Sequence, residues 1–421
     1  MKRYLLAGLL VLSFLLLVSC ASTHPTALKI NDTREYWMPY VESNPNQWMQ
    51  GADNWFLTGN PNNTEIANRH APGSAAISTM MVNISDFNAI QSSGDFQLQI
   101  FGTEEKNSVF IYGPNSDVRK TTIELHGNTL CIGQTKDATV NMHQVIVRIG
   151  IHQLNKLIQR GRGCIEGIQL MSSGLLITST GSGNIYLSGN LNVQRIVNAG
   201  RGSINLFGIN SPLMDIKTAG TGSVNVEGAV GIRYIAHFGM NDINIIGANS
   251  NGLKIYAQGV GKIGIRGRVN LCDVITKGKT CAYIVGVNSE NLHAAAFDKS
   301  HIGLAGFSEN LYVDTYQSAK FAGRYLCTHS AYARAHDASH INVTATEKMF
   351  AAATQDASIY FFGSPTILTR FVSGNGTVIL YEMVRVCPVV TIYPYPYLVK
   401  KPMSEIGYQP GRLSPQFAGE G

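Results

Sequence analysis

One apolar position recurs every 18–20 residues through the C-terminal part of the chain. The recurring residues are Ile165, Ile185, Ile204, Val224, Ile243, Ile263, Ala282, Ile302, Phe321, Ile341, Ile359 and Val378. A second apolar position precedes most of them by eight residues, from Leu157 to Val313. Each unit therefore contains two short segments that alternate like half-buried strands. This internal period predicts an all-β fold, a parallel β-helix or solenoid of about twelve coils of 19–20 residues.

Glycines separate the two strands of each unit, as in "TGSGNIYLSGN" (180–190), "AGRGSINLFGIN" (199–210) and "AGTGSVNVEGAV" (219–230). They recur because each coil turns at the same place, where the backbone needs a positive φ or lies close to the next coil. The segment "GVGKIG" (259–264) matches G-x-G-x-x-G. A dinucleotide site needs a helix after that motif, whereas a strand follows here, so we expect no nucleotide site.

The pattern divides the chain into five segments. They are a signal peptide (1–20), a polar arm with all the tryptophans (21–75), a short β-rich N-terminal part (76–153), the solenoid repeats (154–382) and an extended Pro/Tyr-rich tail (383–421).

The N-terminus indicates export and a lipid anchor. Lys2 and Arg3 precede the apolar run "LLAGLLVLSFLLLV" (5–18), and "LVSC" ends at Cys20. This ending resembles the bacterial lipobox, which implies that Cys20 is diacylated and becomes the new N-terminus. Because residue 21 is not Asp, the resemblance implies the outer membrane, with either the periplasmic face or the cell surface as location. An ordinary signal or anchor helix with a chance cysteine is the alternative.

Charge excludes one class of partner. The formal net charge is +6 with 14% charged residues, and removal of Lys2 and Arg3 leaves 6 − 2 = +4. Nucleic-acid-binding proteins usually concentrate far more positive charge on one face, so we expect no nucleic-acid partner.

Cysteine spacing supports no metal or redox motif, because the chain has no C-x-x-C pair. Cys272 and Cys281 are the nearest pair in the sequence after Cys20 is set aside. In an oxidising compartment they could form a disulfide, or they could be two free buried thiols.

The side chains that could support catalysis or metal binding also fit roles in turns or on the solvated surface. Asp298, Asp337 and Asp356 fall at nearly the same point of their coils, and neighbouring carboxylates would suit a retaining glycosidase. Aspartate is also a standard turn residue, and no further acidic or basic ladder accompanies these three. The histidines at 293, 301, 329, 336 and 340 are expected to be solvated surface residues. We therefore expect no catalytic residue, metal or cofactor.

Both flanks of the repeats contain aromatic residues. The arm contains Trp37, Trp48 and Trp55, and the tail alternates Tyr393, Tyr395 and Tyr397 with proline. Aromatic anchors can offset the entropy lost when flexible segments become ordered, so these six residues are candidate contacts to partners. The alternatives are that the arm packs onto the main domain and that the tail caps the solenoid.

A family resemblance follows from "FNAIQSSGDFQLQIFGTEEKNSVFIYG" (87–113), "GNTLCIG" and the glycine turns quoted above. Together, over residues 80–290, these segments resemble the putative auto-transporter adhesin head GIN domain family. The resemblance implies a secreted or lipid-anchored β-solenoid of the bacterial envelope, without defined catalytic residues. From 293 to 360 the turns depart from it, losing glycine and gaining Asp, Ala and His.

These observations predict a non-enzymatic outer-membrane lipoprotein that serves as a rigid scaffold. Its expected partners are the outer membrane, through the lipid anchor, and other envelope proteins, in one version within an envelope-spanning secretion assembly. A surface adhesin is the first alternative and a β-helix carbohydrate-active enzyme the second.

Overall fold

The computed structural model describes residues 27–29, 77–82, 84–103, 106–135, 144–382 and 389–391. Extended backbone dominates these residues, and some strands continue around the corners of the coils. The elements are β1 (Ala27–Lys29), β2 (Ile77–Val82), β3 (Ala89–Ser92), β4 (Gln97–Gly102), β5 (Ser108–Pro114), α1 (Asn115–Val118), β6 (Thr121–His126), β7 (Thr129–Gln134), β8 (Ile146–Ile151), β9 (Lys156–Gln159), β10 (Ile165–Ser179), β11 (Ile185–Asn198), β12 (Ile204–Thr218), β13 (Val224–His237), β14 (Ile243–Ala296), β15 (His301–Thr315), β16 (Lys320–Ala335), β17 (His340–Gln355), β18 (Ser358–Phe362), β19 (Ile367–Gly374), β20 (Thr377–Glu382) and β21 (Val389–Thr391).

The strands wind into a parallel β-solenoid of about 12 turns, as the sequence period predicts. Ile165 pairs with Ile185, and Ile185 pairs with Ile204, in parallel register. The same column ends with Ile359 pairing with Val378. Buried aliphatic residues from each coil stack on those of the next and fill the interior. The predicted fold class and register are confirmed.

The two kinds of turn glycine meet different steric demands. A Cβ on Gly202, in a G-x-G turn, would collide with the carbonyl oxygen of Gly183 one coil away. Gly208, near the end of the second strand, has φ +64° and open space where a Cβ would lie, so its requirement is conformational. Close stacking thus explains the first column. In the second, backbone conformation alone explains Gly208, whereas a Cβ on Gly189 or Gly228 would also collide with the carbonyl oxygen of a residue one coil away.

At the N-terminal end, the order of coils in space differs from their order in the chain. β3 pairs in parallel with both β7 and β9, and β4 pairs in parallel with both β8 and β10. The β3–β4 coil therefore lies between the β7–β8 coil and the β9–β10 coil. Solenoid stacking begins before residue 154, within the N-terminal β-rich part.

Antiparallel strands cover this first end of the solenoid. β5 pairs with both β2 and β8, and β6 forms a hairpin with β7. At the other end, within the described ranges, β19 pairs with β17 and β20 pairs with β18. Ile367, Phe371 and Tyr381 on these last two strands are more than half exposed.

A separate two-stranded parallel sheet joins β1 to β21, and β21 contacts β15. The described piece of the tail therefore lies beside an inner coil. Among the residues that the structure describes, no helix is both long and apolar enough to cross a membrane.

Candidate functional site: the aromatic face

One outward face of the C-terminal coils presents two columns of rings, which we call the aromatic face. His293, beside the buried Ala294, points outward, and parallel register repeats its position in each later coil. Phe297, at the end of the same strand, begins the second column. The first column contains His293, Tyr312, Tyr332 and Phe350, and the second contains Phe297, Tyr316 and His336.

Ring stacking is regular in both columns. His293 and Tyr312 have centroids 4.7 Å apart with planes at 10°, and Tyr312 and Tyr332 have centroids 4.9 Å apart at 7°. In the second column the separations are 5.1 Å for Phe297 and Tyr316 and 4.8 Å for Tyr316 and His336. These separations match the spacing of about 4.8 Å between hydrogen-bonded strands, so in these four pairs each ring rests on the ring of the previous coil.

Polar groups lie between and beside the two columns. Arg334 donates from Nε and Nη2 to the two carboxylate oxygens of Asp314, at 2.6 and 2.8 Å. The Lys277 ammonium lies 5.3 Å from the ring centroid of Phe297. The aromatic face therefore offers ring edges, hydrogen-bonding groups and a cation on a flat sheet.

Aspartate and glutamine side chains hold the turns beside this face. Asp298, Gln317, Asp337 and Gln355 all have φ between +57° and +63°. Asp337 Oδ2 accepts the Gln317 backbone N–H at 2.8 Å, and Gln355 Oε1 accepts the Asp337 backbone N–H at 2.7 Å. In the same way, Gln317 Oε1 accepts the Asp298 backbone N–H at 2.8 Å. We call this column the turn ladder.

Asp298, Asp337 and Asp356 lie at nearly the same point of their coils, as the sequence predicts. Asp298 and Asp337 belong to the turn ladder, whereas Asp356 lies one position further along its coil, because Gln355 takes the left-handed position. Asp356 Oδ1 instead accepts from Asn375 Nδ2 at 2.9 Å. The arrangement supports the turn interpretation of these carboxylates.

Contrary to the expectation of solvated surface residues, several of the five histidines stack on rings, contact a carboxylate or are largely buried. His293 and His336 are ring-stack members, and His329 Nδ1 lies 2.8 Å from Glu309 Oε2. His301 is mostly buried, and desolvation together with Lys320 and His340 lowers its pKa to about 4. Within the described part of the chain, no group of three or more His, Cys, Asp or Glu could hold a metal ion.

The disulfide interpretation of Cys272 and Cys281 is wrong. Both are free, partly buried thiols, as are Cys131 and Cys164. Cys281 follows Cys272 by nine positions, about half a coil, so the two side chains leave the solenoid at different positions around its perimeter. Cys327, by contrast, forms a disulfide bond. Burial raises the pKa of the Cys164 thiol to about 12, so it remains protonated.

Several predicted site residues lie outside the described residues: Cys20, Trp37, Trp48, Trp55, Tyr393, Tyr395 and Tyr397. The aromatic face was missed at the sequence level. Its signal is present as aromatic or histidine residues at 293, 312, 332 and 350 and again at 297, 316 and 336, spaced like the buried columns.

Comparison with proteins of curated function gives no match. Among solved structures, a "putative lipid binding protein" from Parabacteroides distasonis is 14% identical, with 74% of this chain and 98% of that chain covered and a TM-score of 0.24. A "putative adhesin" from Bacteroides fragilis is 17% identical, with the same coverage and TM-score. Another "putative adhesin", from Parabacteroides merdae, is 14% identical, covers 75% of this chain and 98% of that chain, and has a TM-score of 0.20. With TM-scores this low, none of the three defines the function of this chain.

The family comparison is decisive. The family described as "Putative auto-transporter adhesin, head GIN domain" matches residues 86–268 and 253–365, which include nearly all the coils. This match supports an adhesin-like role. Because it covers more than half of the sequence, the chain belongs to the putative auto-transporter adhesin head GIN domain family.

Proposed function

We propose that the protein is a lipid-anchored, adhesin-like binding protein of the bacterial envelope, and that the aromatic face is its binding surface. The solenoid would act as a rigid support that presents this face, and no step of catalysis is involved. Family membership supports the adhesin-like part of the proposal, and the "LVSC" motif at Cys20 supports the anchor.

The observation that carries this proposal is the position of the rings. Aliphatic and small side chains already fill the interior of the coils, so the outward rings are not needed there. Tyr332 is 39% exposed and Phe350 is 37% exposed. Aromatic side chains at a surface are favoured binding anchors, because they bury a large area at a small entropic cost.

The proposal can be tested with the double variant Tyr332→Ser/Phe350→Ser. Beads coated with the full chain would be measured for retention on epithelial cells and on bacterial envelope preparations. We expect retention of the variant to fall about tenfold, the effect of losing two binding anchors. The control is Met171→Ser/Leu213→Ser, since both residues are 49% exposed and lie outside the aromatic face. Equal retention of the two variants, with unchanged circular dichroism, would contradict the proposal.

A scaffold within an envelope assembly is the second candidate, supported by the aromatic residues of the arm and tail. Mild crosslinking followed by affinity purification separates the two functions. A scaffold would be recovered with fixed envelope partners and would resist protease added to intact cells. An adhesin would be recovered alone and would be cleaved.

A further inference from the structure

The outward face that carries the rings in the C-terminal coils is basic in the first coils. Its strands and adjoining turns expose Lys156, Arg160, Arg162, Arg195, Arg201 and Lys217, which we call the basic patch. Parallel register places Lys156 and Arg195 in the first column of the aromatic face, and Lys217 between the two columns. Arg160, Arg162 and Arg201 lie in the adjoining turns. Lys254 Nζ, 2.9 Å from Asp273 Oδ2, continues the first column towards His293.

Two carboxylates adjoin the basic patch, Asp215 beside Arg195 and Asp95 beside Arg162, and both are buried. Asp215 accepts two hydrogen bonds from Arg233. Within the described residues, no ion pair joins a member of the patch to an acid. Coils about 4.8 Å apart place the backbones of Arg162 and Arg201 about 10 Å from each other. Such a concentration of one charge attracts anions to the surface.

The side chains around these cations suit a polymer with hydroxyl groups and sugar rings. Thr178, Thr180, Ser182 and Ala199 occupy outward positions between them, so the surface is flat and rich in hydroxyl groups. Leu176 is 37% exposed among the cations, and Phe238 and Met240 are 53% and 67% exposed on the coil that follows Lys217. The basic patch therefore borders apolar side chains on which the faces of sugar rings can pack.

We propose that the face binds an acidic polysaccharide that runs along the solenoid axis. Its carboxylate or sulfate groups would pair with the basic patch, where arginine can hold them with two parallel hydrogen bonds. Its sugar rings further along would pack against the aromatic face. A linear ligand fits because the columns repeat over many coils, so that individually weak contacts add along one chain. This inference rests on the proposed function, for which it specifies the ligand.

The test measures binding of the full chain, purified in detergent, to four immobilised probes. These are polygalacturonate, chondroitin sulfate, dextran, and vesicles of phosphatidylglycerol in phosphatidylcholine. We expect binding to the two acidic polymers, weakened by added salt, and none to dextran. The triple variant Arg160→Gln/Arg162→Gln/Arg201→Gln should lose about tenfold in affinity for the acidic polymers.

The matched control is Arg119→Gln/Arg268→Gln/Lys320→Gln, which removes the same charge from exposed positions elsewhere. It should bind like the unaltered chain. Equal affinities for the two triple variants would overturn the inference, as would binding confined to the vesicles. If acidic polymers fail to bind while Tyr332→Ser/Phe350→Ser still reduces retention on cells, the inference fails and the proposed function stands.

Discussion

At the scale of single residues, position within a coil decides what a histidine does. His293 is outward and exposed and stacks on Tyr312, whereas His301, on the other strand of a coil, is largely enclosed beside Tyr283 and Lys320. The sequence does not distinguish them, because both lie in segments of alternating polarity. Only the packing around each side chain, which depends on neighbouring coils, separates a ring-stack residue from a desolvated one.

The buried histidine makes stability depend on pH. The pKa of His301 falls from 6.5 to about 4 in the folded protein, so the neutral form is favoured by folding. This contribution is fully present above pH 6.5 and is lost as the pH falls towards 4, by about 1–3 kcal/mol. In urea titrations, His301→Gln should therefore reduce the loss of unfolding free energy between pH 6.5 and 4.

Burial also lowers the pKa of His340, so some pH dependence should remain in that variant. His126→Gln, on the exposed β6–β7 hairpin, should behave like the unaltered protein. If His301→Gln leaves the dependence of the unfolding free energy on pH unchanged, the His301 ring does not titrate in this way.

At the scale of elements, the sequence predicts the strands better than the turns. The recurring apolar positions give the strand register correctly because one period governs both strands of a coil. Asp298 and Asp337 are recognisable as turn residues because aspartate tolerates a left-handed backbone. Gln317 and Gln355 are not, since their role depends on a side chain that reaches the backbone of the previous coil. The aromatic face was missed at the sequence level for a similar reason, because its rings stack only between adjacent coils.

The turn ladder predicts that two substitutions of Asp337 differ in how much they destabilise the protein. Asp337→Ala should destabilise the protein by about 1–3 kcal/mol, because it removes the acceptor for the Gln317 N–H and places alanine at φ +60°. Asp337→Asn keeps both an acceptor and a residue that tolerates this φ, so its cost should be smaller. Thermal unfolding would measure both.

Asp356→Ala is the neighbouring control, because Asp356 lies outside the left-handed column and is exposed. Its effect should stay within about 0.5 kcal/mol. Equal destabilisation by Asp356→Ala and Asp337→Ala would mean that the turn ladder contributes nothing specific.

At the scale of the whole molecule, the solenoid changes character along its axis: antiparallel strands cover one end, a basic patch follows, and the aromatic face lies in the later coils. The sequence predicts the number of coils, since each coil repeats the previous one. It does not predict how β3 and β4 are inserted between later strands, because the short runs before residue 154 lack the regular period.

Attachment to a membrane is a prediction at this same scale. If Cys20 is acylated, the protein should incorporate labelled palmitate and fractionate with outer membranes. Cys20→Ser should lose the label and leave the membrane fraction. Cys272→Ser removes a free thiol of the solenoid and should change neither result. Retention of the label by Cys20→Ser would contradict the lipobox interpretation.

The insertion of the β3–β4 coil between two later coils determines when that end of the molecule can form. During synthesis, β3 and β4 emerge before either of the strand pairs that must enclose them. Leu98 cannot acquire its neighbours Val147 and Ile165 until nearly seventy more residues have followed it. Growth of the solenoid therefore cannot start at the N-terminus and advance coil by coil. A nascent chain must leave this segment without partners until β7 and β8 have emerged, and with one edge open to chaperones or other chains until β10 has emerged.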